Sequence, residues 1–438
     1  PNSITSNIVN KYVESKLSQT TFLKGLFGNK NYKSSSVLGS QEVDEKGSKG
    51  SILGGAGELV SSLFGSSYKD YFKKLQQGWD ELFFEIQPPS LGIHEEVQPS
   101  GSPLEPREEV IERGESEQHQ LQEEEQDLAG CSCTRRLPVK RDLGETILRR
   151  RGENGEILTR TISRISTCSN TATLRGPKQK VVSYTYYGDI SNPGINNRYF
   201  SEIKNRAEEV ARLYPGWVMR VYHNITTSNT QGQQQLCEVV CQQQHVDLCS
   251  IHNLPSPFGD ISHKLETATL WRFLPLLDPL VNIMVSRDLD SYILPREVAA
   301  VTAWLSSSRL YHAMRDHPLH GTPMLAGLWG AHPSLNRVDV YQSIATMLSQ
   351  VPNHDWGYDQ FLLRKVLWPT AQNNVLVHDS YFCDFPAMLG RYPSAAFPTQ
   401  REGRNYTGFG KTKLSVTKSL KPCPNSCRPN DHKDWEYC

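Results

Sequence analysis

Ile283 to Trp304 reads IMVSRDLDSYILPREVAAVTAW, and the reading of this stretch decides the fold. Ile283, Met284 and Val285, followed by Ser286, have the short continuous apolar pattern of a buried strand. The pattern runs straight into Arg287, Asp288, Leu289, Asp290 and Ser291. Along extended backbone residues i and i+2 point the same way, so the carboxylates of Asp288 and Asp290 are expected to face one point at the strand's C-terminal edge. Oxygen ligands of this kind suit a hard cation, Mg²⁺ or Mn²⁺, which keeps positions open for water and for substrate phosphates. Pro295 then fits the first turn of a helix that Arg296 to Leu305 supplies. An acidic turn with solvated carboxylates has the same bare D-x-D, so the surrounding chain has to decide between them.

Upstream, Val181 to Tyr187 (VVSYTYY) reads as a buried strand closed by Gly188 and Asp189, and Arg198 to Leu213 as a helix stopped by Pro215 and Gly216. Trp217 to His223 gives a second strand, Leu236 to Gln243 a helix, and Val246 to Ile251 a third strand. Strands alternating with helices imply a parallel sheet with right-handed crossovers, whose ligands bind beyond the strands' C-terminal ends. Leu270 to Pro275 (LWRFLP) leads into the acidic strand, and Arg272 is a charge among apolar neighbours. Its partner is either an acid or a phosphate.

Downstream, Tyr311 to Gly330 holds His312, Arg315, Asp316, His317 and His320, but no H-x-x-x-H spacing, and Pro318 breaks the run. The expectation is a polar loop, followed by backbone room at Gly327 and Gly330 and an aromatic face or a buried structural ring at Trp329. Tyr358 to Leu363 opens a helix with Asp359 in its first turn, where the helix dipole alone favours an acid. The alternative for Asp359 is a carboxylate that reaches an acceptor hydroxyl as general base. Asn374 to Val377 reads as a short strand ending in His378, Asp379 and Ser380.

The strings RDLDSYILPREVAAVTAWL, from Arg287, and YHAMRDHPLHGTPMLAGLWG, from Tyr311 to Gly330, resemble a group of largely uncharacterised GT-A-type glycosyltransferase-like proteins. The resemblance runs from about Val181 to Gly410, and its fixed order of Arg, Asp, Ser, Glu, His, Trp and Gly is far more specific than the D-x-D. It implies a GT-A-like (Rossmann-like), mostly parallel central α/β sheet with flanking helices. The activity implied is metal-dependent transfer of a sugar from a nucleotide-sugar donor to a hydroxyl acceptor on a glycan, glycoprotein or glycolipid. By the resemblance, Tyr186, Tyr187, Gly188 and Asp189 sit where the nucleotide base and ribose lie, although Asp189 also suits capping its own turn. Arg272 and Arg287 are the donor-side cations. Asp288 and Asp290 hold Mn²⁺ or Mg²⁺, with His378 completing the metal shell. Asp316, His317, Gly327, Trp329, Gly330 and Gln360 line the sugar site, and Asp359 is the catalytic carboxylate. One departure is Tyr292, which stands where the pattern often has Arg and bears on contact with a donor phosphate. Two other functions fit the same residues: a non-catalytic carbohydrate-binding protein, and a metal-dependent phosphoesterase, for which a second acidic cluster is not apparent.

The chain has 438 residues, with 47 Lys+Arg against 47 Asp+Glu, so it offers no net charge to attract nucleic acid. No apolar run approaches the roughly 20 residues that span a bilayer, so an anchor or signal segment is expected outside this chain. Ten cysteines and the sequons at Asn224 and Asn405 favour an oxidising, secretory setting, the Golgi lumen or outside the cell. Residues 1–130 read as a flexible low-complexity stem with one amphipathic helix at about 68–86, turning acidic toward Asp127. Residues 131–179 are a basic, Cys-containing linker without aromatics between its charges, as base stacking would need. They answer the acidic stem or offer a processing site at Arg149 to Arg151. The transferase-like domain spans 180–410, and 411–438 is a Cys-containing tail. Cys131 and Cys133 are each expected to seek a distant partner such as Cys168, and Cys237 or Cys241 to bridge to Cys249. Cys423, Cys427 and Cys438 are expected to be disulfide-bonded.

Overall fold

The computed structural model describes residues 111–113, 122–127, 131–139, 143, 145–151, 157–263, 265–350, 357–410 and 420–438. All of them belong to one compact unit, Ser66–Cys438. The helix expected at 68–86, most of the stem and residues 411–419 of the tail lie outside the described residues.

Seven strands make the central sheet: β1 (Gln179–Tyr186), β2 (Val218–His223), β3 (Val246–Ser250), β4 (Val281–Ser286), β5 (Tyr311–Arg315), β6 (Trp329–Ala331) and β7 (Val375–Asp379). Their order across the sheet is β7-β5-β6-β4-β1-β2-β3. β6 runs antiparallel to β5 and β4, and every other pair is parallel. The helices are α1 (Glu202–Leu213), α2 (Thr230–Gln242), α3 (Pro295–Leu305), α4 (Arg337–Leu348) and α5 (Tyr358–Leu362). This is a mostly parallel, Rossmann-like α/β sheet with flanking helices. Among the described residues no helix is long and apolar enough to cross a membrane.

Period two is visible in β4: Met284 belongs to the core cluster that holds Trp271, Phe273 and Trp329, whereas Ile283 and Val285 belong to another, with Val301 and Trp304. From β1 the chain leaves toward β2, and from β4 it leaves the other way, through α3 to β5. The two neighbours β1 and β4 therefore bound a topological switch point, the place where open α/β sheets bind ligands.

One expectation is corrected here. Tyr311–Arg315 is not a polar loop but a fully buried strand, parallel to β7. Its polar side chains are paired inside the core, His312 with His378 and Arg315 with Asp379, so polarity did not mean exposure.

The basic 131–179 segment carries strands. Thr134–Val139 pairs antiparallel with the acidic Gln122–Asp127, Glu125 opposite Arg136, and Glu145–Arg151 pairs with Ile157–Ser163. All ten cysteines are bridged: Cys131–Cys237, Cys133–Cys241, Cys168–Cys249, Cys383–Cys427 and Cys423–Cys438. The expected bridge from α2 to Cys249, and that from Cys131 or Cys133 to Cys168, are thus both corrected. Cys237 and Cys241 are one turn apart on one face of α2, about 6 Å along its axis. Cys131 and Cys133 are two residues apart, about 6.6 Å along extended chain. The two spacings match, so the two bridges form side by side.

Candidate functional site

The ends of β1 and β4 bring together residues from seven segments. Asp288 follows β4 by two positions, and its side chain is 39 % exposed. Arg272 comes from the 3₁₀ helix Leu265–Leu277 and is buried. Its Nη1 donates to Asp288 Oδ1, and to the Arg287 carbonyl at 3.2 Å, while its Nη2 donates to Asp359 Oδ2 at 2.7 Å. Burial works against the charged guanidinium, but Asp288 and Asp359 more than reverse that and raise its pKa. Asp359 is the second residue of α5, which starts from Gly357 in a left-handed conformation at φ 84°. No side chain caps α5 at Gly357; Asp359 accepts from Arg272 at Oδ2 and from the Gln360 N–H at Oδ1, the latter at 2.8 Å.

Asp290 is buried and accepts at Oδ2 from Arg198 Nε (3.2 Å) and Nη2 (3.0 Å). Arg198 belongs to a π-helical turn, Asn196–Phe200, just ahead of α1. Gly327 lies directly against the Asp288 side chain: a β-carbon there would run into the carboxylate. Residues 406–410 back the acidic turn, where Ser291 Oγ donates to the Gly408 carbonyl at 3.1 Å and the Tyr292 N–H to the Phe409 carbonyl at 2.8 Å. The Tyr292 ring stacks over the Arg206 guanidinium at 4.7 Å. A groove of about 560 Å³ opens beside it, between Tyr292 and the charged face of α1.

Tyr187 closes the site on the β1 side. Its ring is part-exposed and edge-on to Trp271 at 6.4 Å. Burial raises its pKa; Arg272 opposes this, and Asp359 and Asp288 add to it. Tyr186 points the other way, into the core against Phe200 at 4.8 Å, and burial pushes its phenol up to about 12. Gly188 turns the chain at φ 133°, a conformation that favours glycine. Asp189 is exposed and caps its own turn, accepting the Ser191 hydroxyl at 2.6 Å and N–H at 2.8 Å, which lowers its pKa.

Several residues expected at the site lie elsewhere. Arg287 is buried with Glu297, 2.6 Å from Oε1, so its charge is spent in the core. Asp316 is fully buried; Arg401 (2.6 Å), Arg296 (3.1 Å), the Ser380 hydroxyl (2.7 Å) and the Thr407 N–H (2.8 Å) all donate to it. Burial alone would raise its pKa, yet the two guanidinium groups hold it below the usual carboxylate range. His317 is buried against the Tyr406 ring at 4.5 Å. Trp329 is fully buried, edge-on to Phe273 at 5.1 Å, which leaves no open face for a sugar. Gly330 lets β6 and β4 approach, since a β-carbon would come 2.7 Å from the Met284 carbonyl. His378 is buried, its Nδ1 2.8 Å from His312 Nε2, and burial pushes its pKa down to about 3.

Asp288, Asp290 and His378 are not brought within one another's reach as a trio of ligands. Among the described residues the group that meets that test is Asp379, Cys383 and Cys427, and its two sulfurs are already joined in a disulfide. Sequence reasoning missed Arg198. A π-helical turn leaves no periodic mark in sequence, although the segment after a β-strand at a switch point is where such a residue belongs. No protein-family model and no curated protein matches the chain.

Proposed function

We propose that the chain is a GT-A-type glycosyltransferase that moves a sugar from a nucleotide-sugar donor to a hydroxyl acceptor with Mn²⁺ or Mg²⁺. The observation that carries this reading is the Asp288–Arg272–Asp359 array at the switch point between β1 and β4, with Asp290 two residues along. The donor set is of the oxygen type that suits a hard cation: Asp288 offers carboxylate oxygens on a side chain 39 % exposed, and Asp290, two residues along the same turn, has a second carboxylate that Arg198 holds. When bound, the cation neutralises charge on the diphosphate leaving group as a Lewis acid. His378, committed to His312, is outside this set. Arg272 fixes Asp288 and Asp359 relative to one another, so the carboxylate that takes the acceptor's proton is held in register with the one that serves the donor. Tyr187 offers an aromatic edge to the donor, and Gly327 leaves room for Asp288. Five disulfides support an oxidising compartment, and the reading assigns the activity to the secretory pathway, Golgi lumen or outside. A carbohydrate-binding protein without turnover is the second reading, favoured by the arginines that already engage both acids.

Thermal unfolding with nucleotide sugars, with and without Mn²⁺, tests the proposal. A ligand at 100 times its Kd should stabilise the parent by about 2.7 kcal/mol, only when Mn²⁺ is present, and Asp288→Asn should lose that gain. Asp359→Asn should keep the gain and lower turnover by roughly 10² to 10⁴-fold. Absence of Mn²⁺-dependent stabilisation with every donor tried sinks the reading. Sugar binding without turnover in the parent selects the second one.

A further inference from the structure

The arginines that reach the acidic turn differ in how firmly they are held. The side chain of Arg272 is 7 % exposed and shared between Asp288 and Asp359; that of Arg287 is 2 % exposed and bonded to Glu297. Arg206, 1 % exposed, lies between Glu202 and Glu209 and under the Tyr292 ring. Moving any of these leaves a buried or half-buried carboxylate without its counter-charge, which is strongly unfavourable. Arg198 also answers a buried carboxylate, Asp290, which needs a replacement cation if the arginine leaves, but here the arginine is the exposed member of the pair. Its side chain is 42 % exposed, both of its hydrogen bonds go to a single oxygen, Oδ2 of Asp290, and its guanidinium lies 5.1 Å from the Tyr199 ring. The turn that carries it is π-helical, an irregularity that commonly marks functional positions. Tyr292, two residues beyond Asp290, brings no charge of its own.

Resting on the reading above, we infer that Arg198 and the divalent cation are alternative partners of Asp290, and that Arg198, once displaced, binds the diphosphate. The oxygen that accepts from Arg198 cannot coordinate a cation in the same direction. A divalent cation at Asp290 both takes over the compensation of its charge and repels the guanidinium. The half-exposed side chain would then be free to turn to a diphosphate bound at the same turn, and would offer it a planar fork of donors. Arg198 thus opposes the cation when it arrives alone and favours it when it arrives with a diphosphate. It is a positioning and specificity residue for diphosphate-bearing ligands.

This coupling predicts opposite signs for two affinities in one variant, which loss of structure does not produce. Mn²⁺ binding to the full chain is measured by the paramagnetic resonance of free Mn²⁺, and inorganic pyrophosphate binding by calorimetry at saturating Mn²⁺. In Arg198→Ala, Mn²⁺ alone is expected to bind about 3- to 10-fold more tightly. Pyrophosphate is expected to bind about 10- to 100-fold more weakly, the value of a charge-assisted hydrogen bond. Arg198→Gln, which can still donate a hydrogen bond to Asp290, should show the same split and serves if the alanine variant does not fold. Mn²⁺ affinity that is unchanged or weaker in a folded variant overturns the inference while leaving the metal site standing. A parent that binds no Mn²⁺ overturns the metal-dependent reading and this inference with it.

Discussion

Asp316 and Asp288 are both acids in the strings that carry the family resemblance, and their surroundings assign them opposite jobs. Asp316 is sealed in, with Arg296 and Arg401 on its oxygens and no exposure. Asp316→Asn leaves two buried guanidinium groups short of a counter-charge, and removing one partner of a buried pair costs about 3 to 5 kcal/mol. Chemical denaturation should register that loss, and a variant as stable as the parent would remove Asp316 as the fastening point of the 396–407 segment. Asp288→Asn, at a side chain 39 % exposed, should cost less, because Asp359 stays on the buried Arg272 guanidinium. The difference was invisible in sequence, where both are an Asp after an Arg. Burial and the number of arginines within reach separate a structural carboxylate from one that a ligand can use.

The elements that could be read from sequence are those in which apolar residues outweigh the polar ones. β1, β2, β3 and β4 are short, mainly apolar runs, with Arg220 and Asp247 as single charges in β2 and β3, and Pro295 marks the start of α3. β5 was lost because His312 and Arg315 find their partners 66 and 64 residues away. α2 starts at Thr230, six residues ahead of Leu236, because Asn229 caps it through the Gly232 N–H at 2.9 Å and its first turns are glutamines without an apolar stripe. The acidic turn was legible as a pair of neighbours; the links from Arg272 to Asp359 and from Arg198 to Asp290, 87 and 92 residues apart, were not. The disulfides tie the elements in the same non-local way. Cys168–Cys249 fastens the segment ahead of β1 to the edge strand β3, where Arg175 also grips Asp247 at 2.9 Å. Replacing both cysteines by Ala should cost about 2 to 5 kcal/mol, measured by denaturation without reductant. A cost near zero would mean that the packing at this edge is sufficient alone.

At the scale of the molecule, buried histidines set the response to acid. Burial lowers His223 to about 4 and His378 to about 3, and holds His312 well below its ordinary value. In the unfolded chain each protonates near 6.5, so below that pH the unfolded state binds more protons and stability falls with pH. Their contribution is complete above pH 6.5 and is lost as the pH drops toward the folded values, at up to about 1.4 kcal/mol per pH unit for each histidine. The melting temperature should therefore decline from about pH 6.5 downward. His378→Gln should flatten that decline, and an unchanged slope would show that other groups govern it. The five bridges also fix which cuts the chain can survive in one piece. Any single peptide bond broken between Cys131 and Cys249, or between Cys383 and Cys438, leaves two fragments still covalently linked. The stretch between Cys249 and Cys383, which holds Arg272, Asp288, Asp290 and Asp359, has no such insurance. A nick there divides the molecule into parts held by packing and ion pairs alone, so the acids of the candidate site and Arg272 ride on an interval whose continuity the covalent framework does not protect.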